Sequence, residues 1–275
     1  MSSILTNNGA MVALQTLKST NMQLEKAQNS IATGKEIAGA KDNSAIWAIS
    51  KVMESDVSGI KAVSASLSLG ESTVAVALAG AEQITSILNQ IKEKVVAATG
   101  ENVDNAKLTA DVSEMIGQVN SIIAASQFNG ANLLNTQGNA GLTVLSSIDR
   151  DNANAVTASS ITVASVDFEA NLDLSNIDVS TSTLADASIA LVEAHIQTAV
   201  DGAAALGASS KRISEQNVFV GKVMDAMKSG IGSLVDADME AASAKLQALQ
   251  TQQQLGVQAL SIANQAPQSI LSLFR

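Results

Sequence analysis

Residues 46–98 read IWAISKVMESDVSGIKAVSASLSLGESTVAVALAGAEQITSILNQIKEKVVAA. Stepping by seven from Ile46 gives Met53, Ile60, Leu67, Val74, Ala81, Leu88 and Val95, all apolar. The positions three further on are Ile49, Asp56, Val63, Gly70, Ala77, Ile84, Ile91 and Ala98, with Asp56 the single charge. Apolar residues spaced alternately by three and four fall on one side of an α-helix. Held for about seven heptads, the pattern predicts a long helix that packs along its length against another. Asp42 and Asn43, before it, supply side-chain acceptors for a helix start, and Gly100 supplies a stop.

The same period recurs on both sides of this stretch. Upstream, Ala10, Leu17, Leu24 and Ile31, with Ala13, Thr20 and Ala27 between them, predict a helix from about residue 5 to 33 that stops at Gly34. Downstream, Leu108, Val112, Met115, Val119 and Ile122 predict a shorter helix ending near Ser126, before the turn dipeptide Asn129-Gly130. In the C-terminal half, Val192, Ala199, Leu206, Ile213, Val220, Met227, Leu234, Ala241, Ala248, Leu255 and Ile262 form an apolar line at a strict seven-residue step. Thr183-x-x-Asp186 reads as its N-terminal cap, and Gly230 and Gly232 as a joint within it.

Residues 137–182 differ. They are rich in Ser, Thr, Asn and Asp, and residues 142–145 and 161–164 are the best strand candidates, joined by a polar turn over 149–154. The fold class expected is mainly α: a long antiparallel helical coiled-coil rod with a small β-hairpin and with its N- and C-terminal helices paired. The expected division is residues 1–41 plus 232–275 as terminal helices, 42–136 plus 183–231 as a helical rod, and 137–182 as the hairpin region. The rod seam would be Ile46, Met53, Ile60, Leu67, Val74, Leu88, Val95, Leu206, Ile213, Val220 and Met227.

Composition narrows the function. Aromatic residues make up 2% of the chain against 46% apolar residues, so the core is built from small aliphatic side chains suited to close helix packing rather than to a ligand pocket. A net charge of −10 argues against nucleic acid, which needs a basic face. Residues 116–148 and 246–274 carry no charge but are studded with Asn, Gln, Ser and Gly, which argues against a membrane span. There is no cysteine, hence no disulfide and no thiolate metal ligand. Met1 to Ala10 lack the positive and apolar regions of a secretory signal. His195 is the single histidine and reads as a helix-surface residue; Asp236, Asp238 and Glu240 read as a charged first helical turn. No set of nucleophile, base and orienting group is visible and no phosphate-binding glycine loop, so no enzyme, metal or cofactor is expected.

With the plan in view, particular motifs carry a resemblance to bacterial flagellin over nearly the whole length. The opening helix with Leu17, Leu24, Ile31 and Ala32-Thr-Gly34 looks like the start of that family. Residues 40–49, AKDNSAIWAI, resemble its spoke region and helix start, with Asp42 and Asn43 at the turn. Residues 126–135, SQFNGANLLN, are similar to its Phe-Asn-Gly turn, and residues 263–275, ANQAPQSILSLFR, to its ending. Lys35-Glu-Ile-Ala-Gly39 departs from the family, which often has Arg before the spoke, and the large outer domains of many members are missing, so the resemblance is to a short, core-only type.

The resemblance implies a subunit that polymerises with identical or related flagellins into the helical filament used for swimming. It also implies export unfolded through a type III apparatus, distal assembly, a secreted, extracellular location, and an export chaperone, a filament cap and hook-junction proteins as partners. The subunit contacts of the inner core would involve Leu17, Leu24, Ile31, Leu234, Ala241, Ala248, Leu255, Ile262, Leu271 and Leu273. Glutamines 247, 250, 252, 253, 254, 258, 265 and 268 on the uncharged segment could pair between copies. Thr143, Ser159, Ser160 and Thr162 would offer O-linked sugar acceptors on an outward hairpin. The competing reading, a chemoreceptor-like coiled-coil signalling rod, should have a helical tip at its centre, where this chain has its Ser/Thr-rich β-like region. A secreted translocator or needle-tip protein should lack the Gln-Ala-Pro-Gln-Ser-Ile-Leu-Ser-Leu ending.

Overall fold

The computed structural model describes residues 7–138, 140–151 and 155–273, with side chains to residue 265. The chain is mainly helical, with a small antiparallel strand region. Its elements run α1 (Asn8–Thr33), α2 (Ser44–Ala98), α3 (Asn105–Ala125), β1 (Gln127–Phe128), β2 (Ala131–Asn132), β3 (Leu142–Arg150), β4 (Val156–Val163), α4 (Phe168–Asn171), α5 (Ser182–Val235) and α6 (Met239–Leu273). Two compact units result: Met1–Ser55 with Ala226–Arg275, and Asp56–Asp225.

In the second unit, α2 follows its heptads. Ile60, Val63, Leu67, Gly70, Val74, Ala77, Ala81, Ile84, Leu88, Ile91, Val95 and Ala98 are all buried. A supplementary buried line, Thr73, Gly80 and Ile87, shows that this helix is covered on two sides. One side belongs to α5, whose Ala185, Val192, Ala199, Leu206, Ile213 and Val220 are buried. The two helices run antiparallel there: Ser64 donates to Asn217 near one end, and Lys92 pairs with Glu193 near the other. The other side carries the chain from the end of α3 into β3. At Gly80 a Cβ would lie 2.2 Å from Ser126 Oγ and 3.0 Å from Leu134 Cδ1, and at Gly70 2.5 Å from Val144. These glycines sit on a helix because the layer outside approaches too closely for any side chain.

Asp56, the one charge on the α2 stripe, marks where α2 meets the hairpin. Arg150 at the end of β3 donates from Nη2 to Asp56 Oδ1 at 2.7 Å and from Nε to both carboxylate oxygens at 3.3 Å. That pairing holds the guanidinium above its ordinary range, chiefly through the hydrogen bond.

The strands are longer than the 142–145 and 161–164 expected. Leu142 pairs with Val163 and Arg150 with Val156, with an irregularity between Leu145 and Ser147. The residues added, such as Ser159 and Thr157, form an exposed Ser/Thr run without the apolar alternation that identifies a strand in sequence. Asn152–Asn154 of the expected turn lie outside the described residues. Asn129-Gly130 is a turn as read: both residues have positive φ, 50° and 83°, and join the two-residue strands β1 and β2.

Two other expectations are corrected. The cap of α5 is Thr181, whose Oγ1 accepts from Leu184 N at 3.3 Å, so Thr183 lies inside the first turn. The helix also passes through Gly230 and Gly232 and ends at Val235; the break is at Asp236–Asp238.

Candidate subunit interface

In the first unit α1 and α6 lie antiparallel. Asn7 Nδ2 donates to the Ala263 carbonyl at 2.7 Å, Gln253 donates to Asn21 Oδ1 at 2.8 Å, and Leu17 packs at Gly256, where a Cβ would be 3.2 Å from its Cδ1. The α1 face turned to this contact is Ala10, Ala13, Leu17, Thr20, Leu24, Ala27 and Ile31, all buried or half-buried, as the period predicts. Asn7 caps the helix through Ala10 N, and Gly34 ends it with φ 69°.

On α6 the packing phase is displaced by one residue. From Val235 at the end of α5, the buried or half-buried line runs on through Ala242, Leu249, Gly256 and Ala263, whereas Leu234, Ala241, Ala248, Leu255 and Ile262 are exposed. The strict seven-residue line of the sequence therefore does not run on as one seam. A straight α-helix drifts about 20° per heptad, and by Val235, the last residue of α5, the buried position has moved one residue on from Leu234; that phase then carries across residues 236–238. Leu271 and Leu273 lie in α6, with side chains outside the described ones.

This displacement leaves the pair with apolar residues on its free sides. Leu255 is 58% exposed, Ile262 70% and Val12 64%; Leu14 and Val257 are likewise open. Gln247, Gln250, Gln252, Gln254, Gln258 and Gln265 are exposed beside them. On α1 the exposed Val12 and Leu14 fall off the inner stripe, and the apolar pair Met11-Val12 and Leu14 out of phase was the signal of them in the sequence.

Where the helices turn, short backbone bonds clasp the two connections. Glu36 N donates to the Val235 carbonyl at 2.8 Å and Ala237 N to that of Gly34 at 2.9 Å, with Lys35 bridged to Asp236. Asp42 Oδ2 accepts from Ala38 N and Gly39 N, and Asn43 Oδ1 from Ala45 N and Ile46 N, so the expected spoke pair holds the turn and caps α2. Asp238 caps α6 through Glu240 N and Ala241 N.

Glu54 sits between Lys51 at 2.6 Å and Lys35 at 3.4 Å. The Lys51 hydrogen bond, aided by the charges of both lysines, holds its carboxyl below the ordinary glutamate range. A lowered carboxylate stabilises the fold above its unfolded value and loses that contribution as pH falls through the folded one. NMR titration of Glu54 will give a midpoint below that of an unperturbed glutamate, and Lys51→Ala will move it upward.

Of the expected rod seam, Ile60, Leu67, Val74, Leu88, Val95, Leu206, Ile213 and Val220 are buried, and Ile46, Met53 and Met227 half-buried. Thr143, Ser159, Ser160 and Thr162 are exposed, as sugar acceptors would have to be. His195 is half-buried on α5, and no group of three His, Cys, Asp or Glu among the described residues could hold a metal ion.

Comparison with known proteins gives a consistent picture. A family model for the bacterial flagellin N-terminal helical region matches residues 4–139, and one for the bacterial flagellin C-terminal helical region matches residues 189–274. Flagellin FljM of Caulobacter vibrioides is 41% identical over 280 residues, covering 100% of this chain and 99% of that protein. A flagellin of Brucella melitensis is 41% identical over 283 residues, covering 100% of both. Among solved structures, that of Bacillus cereus flagellin aligns with a TM-score of 0.39 and 13% identity, over 65% of this chain and 93% of that one.

Proposed function

The chain belongs to the bacterial flagellin family, a structural subunit of the flagellar filament, and from that premise we propose that it enters the filament through the free faces of α1 and α6. The observation that carries this is the open apolar surface of Val12, Leu14, Leu255 and Ile262 beside uncharged glutamines. An isolated helix pair gains nothing from leaving such residues in water. Packed among copies, it buries the aliphatic side chains and pairs the amides, and no ionised side chain between residues 246 and 265 has to be desolvated.

In this reading residues 1–41 with 232–275 form the inner core. Leu17, Leu24 and Ile31 hold α1 to its own α6, while Leu234, Ala241, Ala248, Leu255 and Ile262 meet neighbouring subunits. Residues 42–136 with 183–231 form the surrounding layer, and the hairpin region 137–182 lies outermost, with its hydroxyls available to O-linked sugar. Delivery unfolded through an export channel, a chaperone, a cap and hook-junction proteins complete the reading; the absence of cysteine suits a chain that crosses such a channel.

The test is assembly. Purified protein, given short filament seeds, will grow long uniform filaments by negative-stain electron microscopy. Leu255→Asp with Ile262→Asp will stop growth with the circular dichroism of the monomer unchanged, since both sites are exposed in the free chain. A discrete folded dimer under every condition would transfer the chain to the signalling-rod class.

A further inference from the structure

The chain has no cysteine, so its only sulfur is thioether. Of the described methionines, Met53, Met115, Met224 and Met227 are half-buried. The exposed ones are Met11 at 57%, Met22 at 58% and Met239 at 44%. All three belong to the same compact unit, the one built from the terminal helices. Met11 and Met22 are three helical turns apart and within about 20° of each other around the α1 axis. They therefore share one stripe, on the side away from the buried Thr20 and Ala27. The oxidisable atoms of the molecule are thus concentrated on the surface that the filament reading covers with other copies.

We propose that Met11, Met22 and Met239 are peroxide-modifiable residues that control addition of the subunit to the filament. The inference rests on the filament reading given above. In the free subunit a thioether lone pair attacks hydrogen peroxide; an S–O bond forms and the O–O bond breaks. The sulfur loses two electrons to become the sulfoxide, and the peroxide leaves as water. The product carries a strong dipole and a hydrogen-bond acceptor where the unmodified side chain was apolar. On a surface exposed to water this is harmless, so the monomer keeps its fold. Between copies the sulfoxide oxygen must lose its water without a matching donor, which disfavours addition. Burial in the finished filament shields the same three sulfurs, so the polymer resists what the monomer does not.

The experiment uses full-length protein and hydrogen peroxide. Peptide mapping of treated monomer will show Met11, Met22 and Met239 converted well before Met53, Met115, Met224 and Met227, and the same three protected in treated filaments. Oxidised monomer will elongate seeds more slowly by about tenfold or more, the scale of one unsatisfied buried acceptor. The variant carrying Met11→Leu, Met22→Leu and Met239→Leu will elongate after treatment at nearly its untreated rate. Unchanged elongation of oxidised wild-type protein would overturn the inference, as would equal loss in the triple variant or oxidation of these residues at the same rate in filaments. Failure of untreated wild-type protein to elongate would be a different result, removing the filament reading itself and the inference with it.

Discussion

A chain ended before Leu246 will stay folded between residues 56 and 225 and will form no filaments. The cut removes Leu249, which is buried on α6, together with Gln253, Gly256 and Ala263, the partners of Asn21, Leu17 and Asn7. What remains to hold α1 is the clasp at residues 34–37 and the first turns of α6. A helix with most of its partner gone keeps little reason to persist in water, because most helical stability comes from packing an amphipathic face. The second unit is untouched, since its buried residues lie between Ile60 and Val220. Hydrogen exchange will therefore show α1 amides unprotected and the middle amides of α2 and α5 as slow as in the intact chain. Seeded electron microscopy will show no growth at any subunit concentration. Growth of the truncated chain would mean that the subunit contacts lie on the second unit.

The reasons that the long helices were legible and the packing phase of α6 was not are physical. Burial along the length of a partner helix imposes a seven-residue period, and on α2 that period survives for the full span from Ile60 to Ala98. The ends were legible for a different reason: Gly34 and Asn43 do local chemistry that few other residues perform. The line from Val192 to Ile262 misled because alanine is abundant. An unbroken apolar step can continue through Ala241 and Ala248 without either residue being packed. Nothing in the period registers the clasp at residues 34–37, which stops α5 at Val235 through backbone bonds alone. Side-chain identity is silent there. The glycines were ambiguous in the same way. Gly230 and Gly232, which looked like joints, lie within a continuous helix, while Gly70, Gly80 and Gly202 are sites of close approach that only the fold discloses.

Gly202 supports the second large effect. A Cβ at this position would lie 2.4 Å from Val166 Cγ1 and 2.7 and 2.8 Å from two ring carbons of Phe168. Phe168 is fully buried and stands on a turn with little freedom to retreat. Val166 N and Ser165 Oγ both donate to the Leu133 carbonyl, Glu169 N donates to that of Leu134, and Asp167 caps α4 from a left-handed conformation with φ 45°. Removing the ring leaves a cavity, and Phe168→Ala will cost about 3–5 kcal/mol in urea unfolding. Gly202→Ala forces the opposite error. Alanine favours a helix interior over glycine by about 1 kcal/mol, yet overpacking against a held ring costs about 1–3 kcal/mol, so the substitution will be destabilising. Combining the two discriminates the cause. With the ring gone, two of the three nearest contacts are gone while the helix preference remains, and Val166 Cγ1, the nearest at 2.4 Å, still has to yield. The cost of Gly202→Ala in the Phe168→Ala background will therefore fall below its cost in the wild type, and Val166 sets what remains. Additive costs would mean that Phe168 is not what keeps position 202 without a side chain.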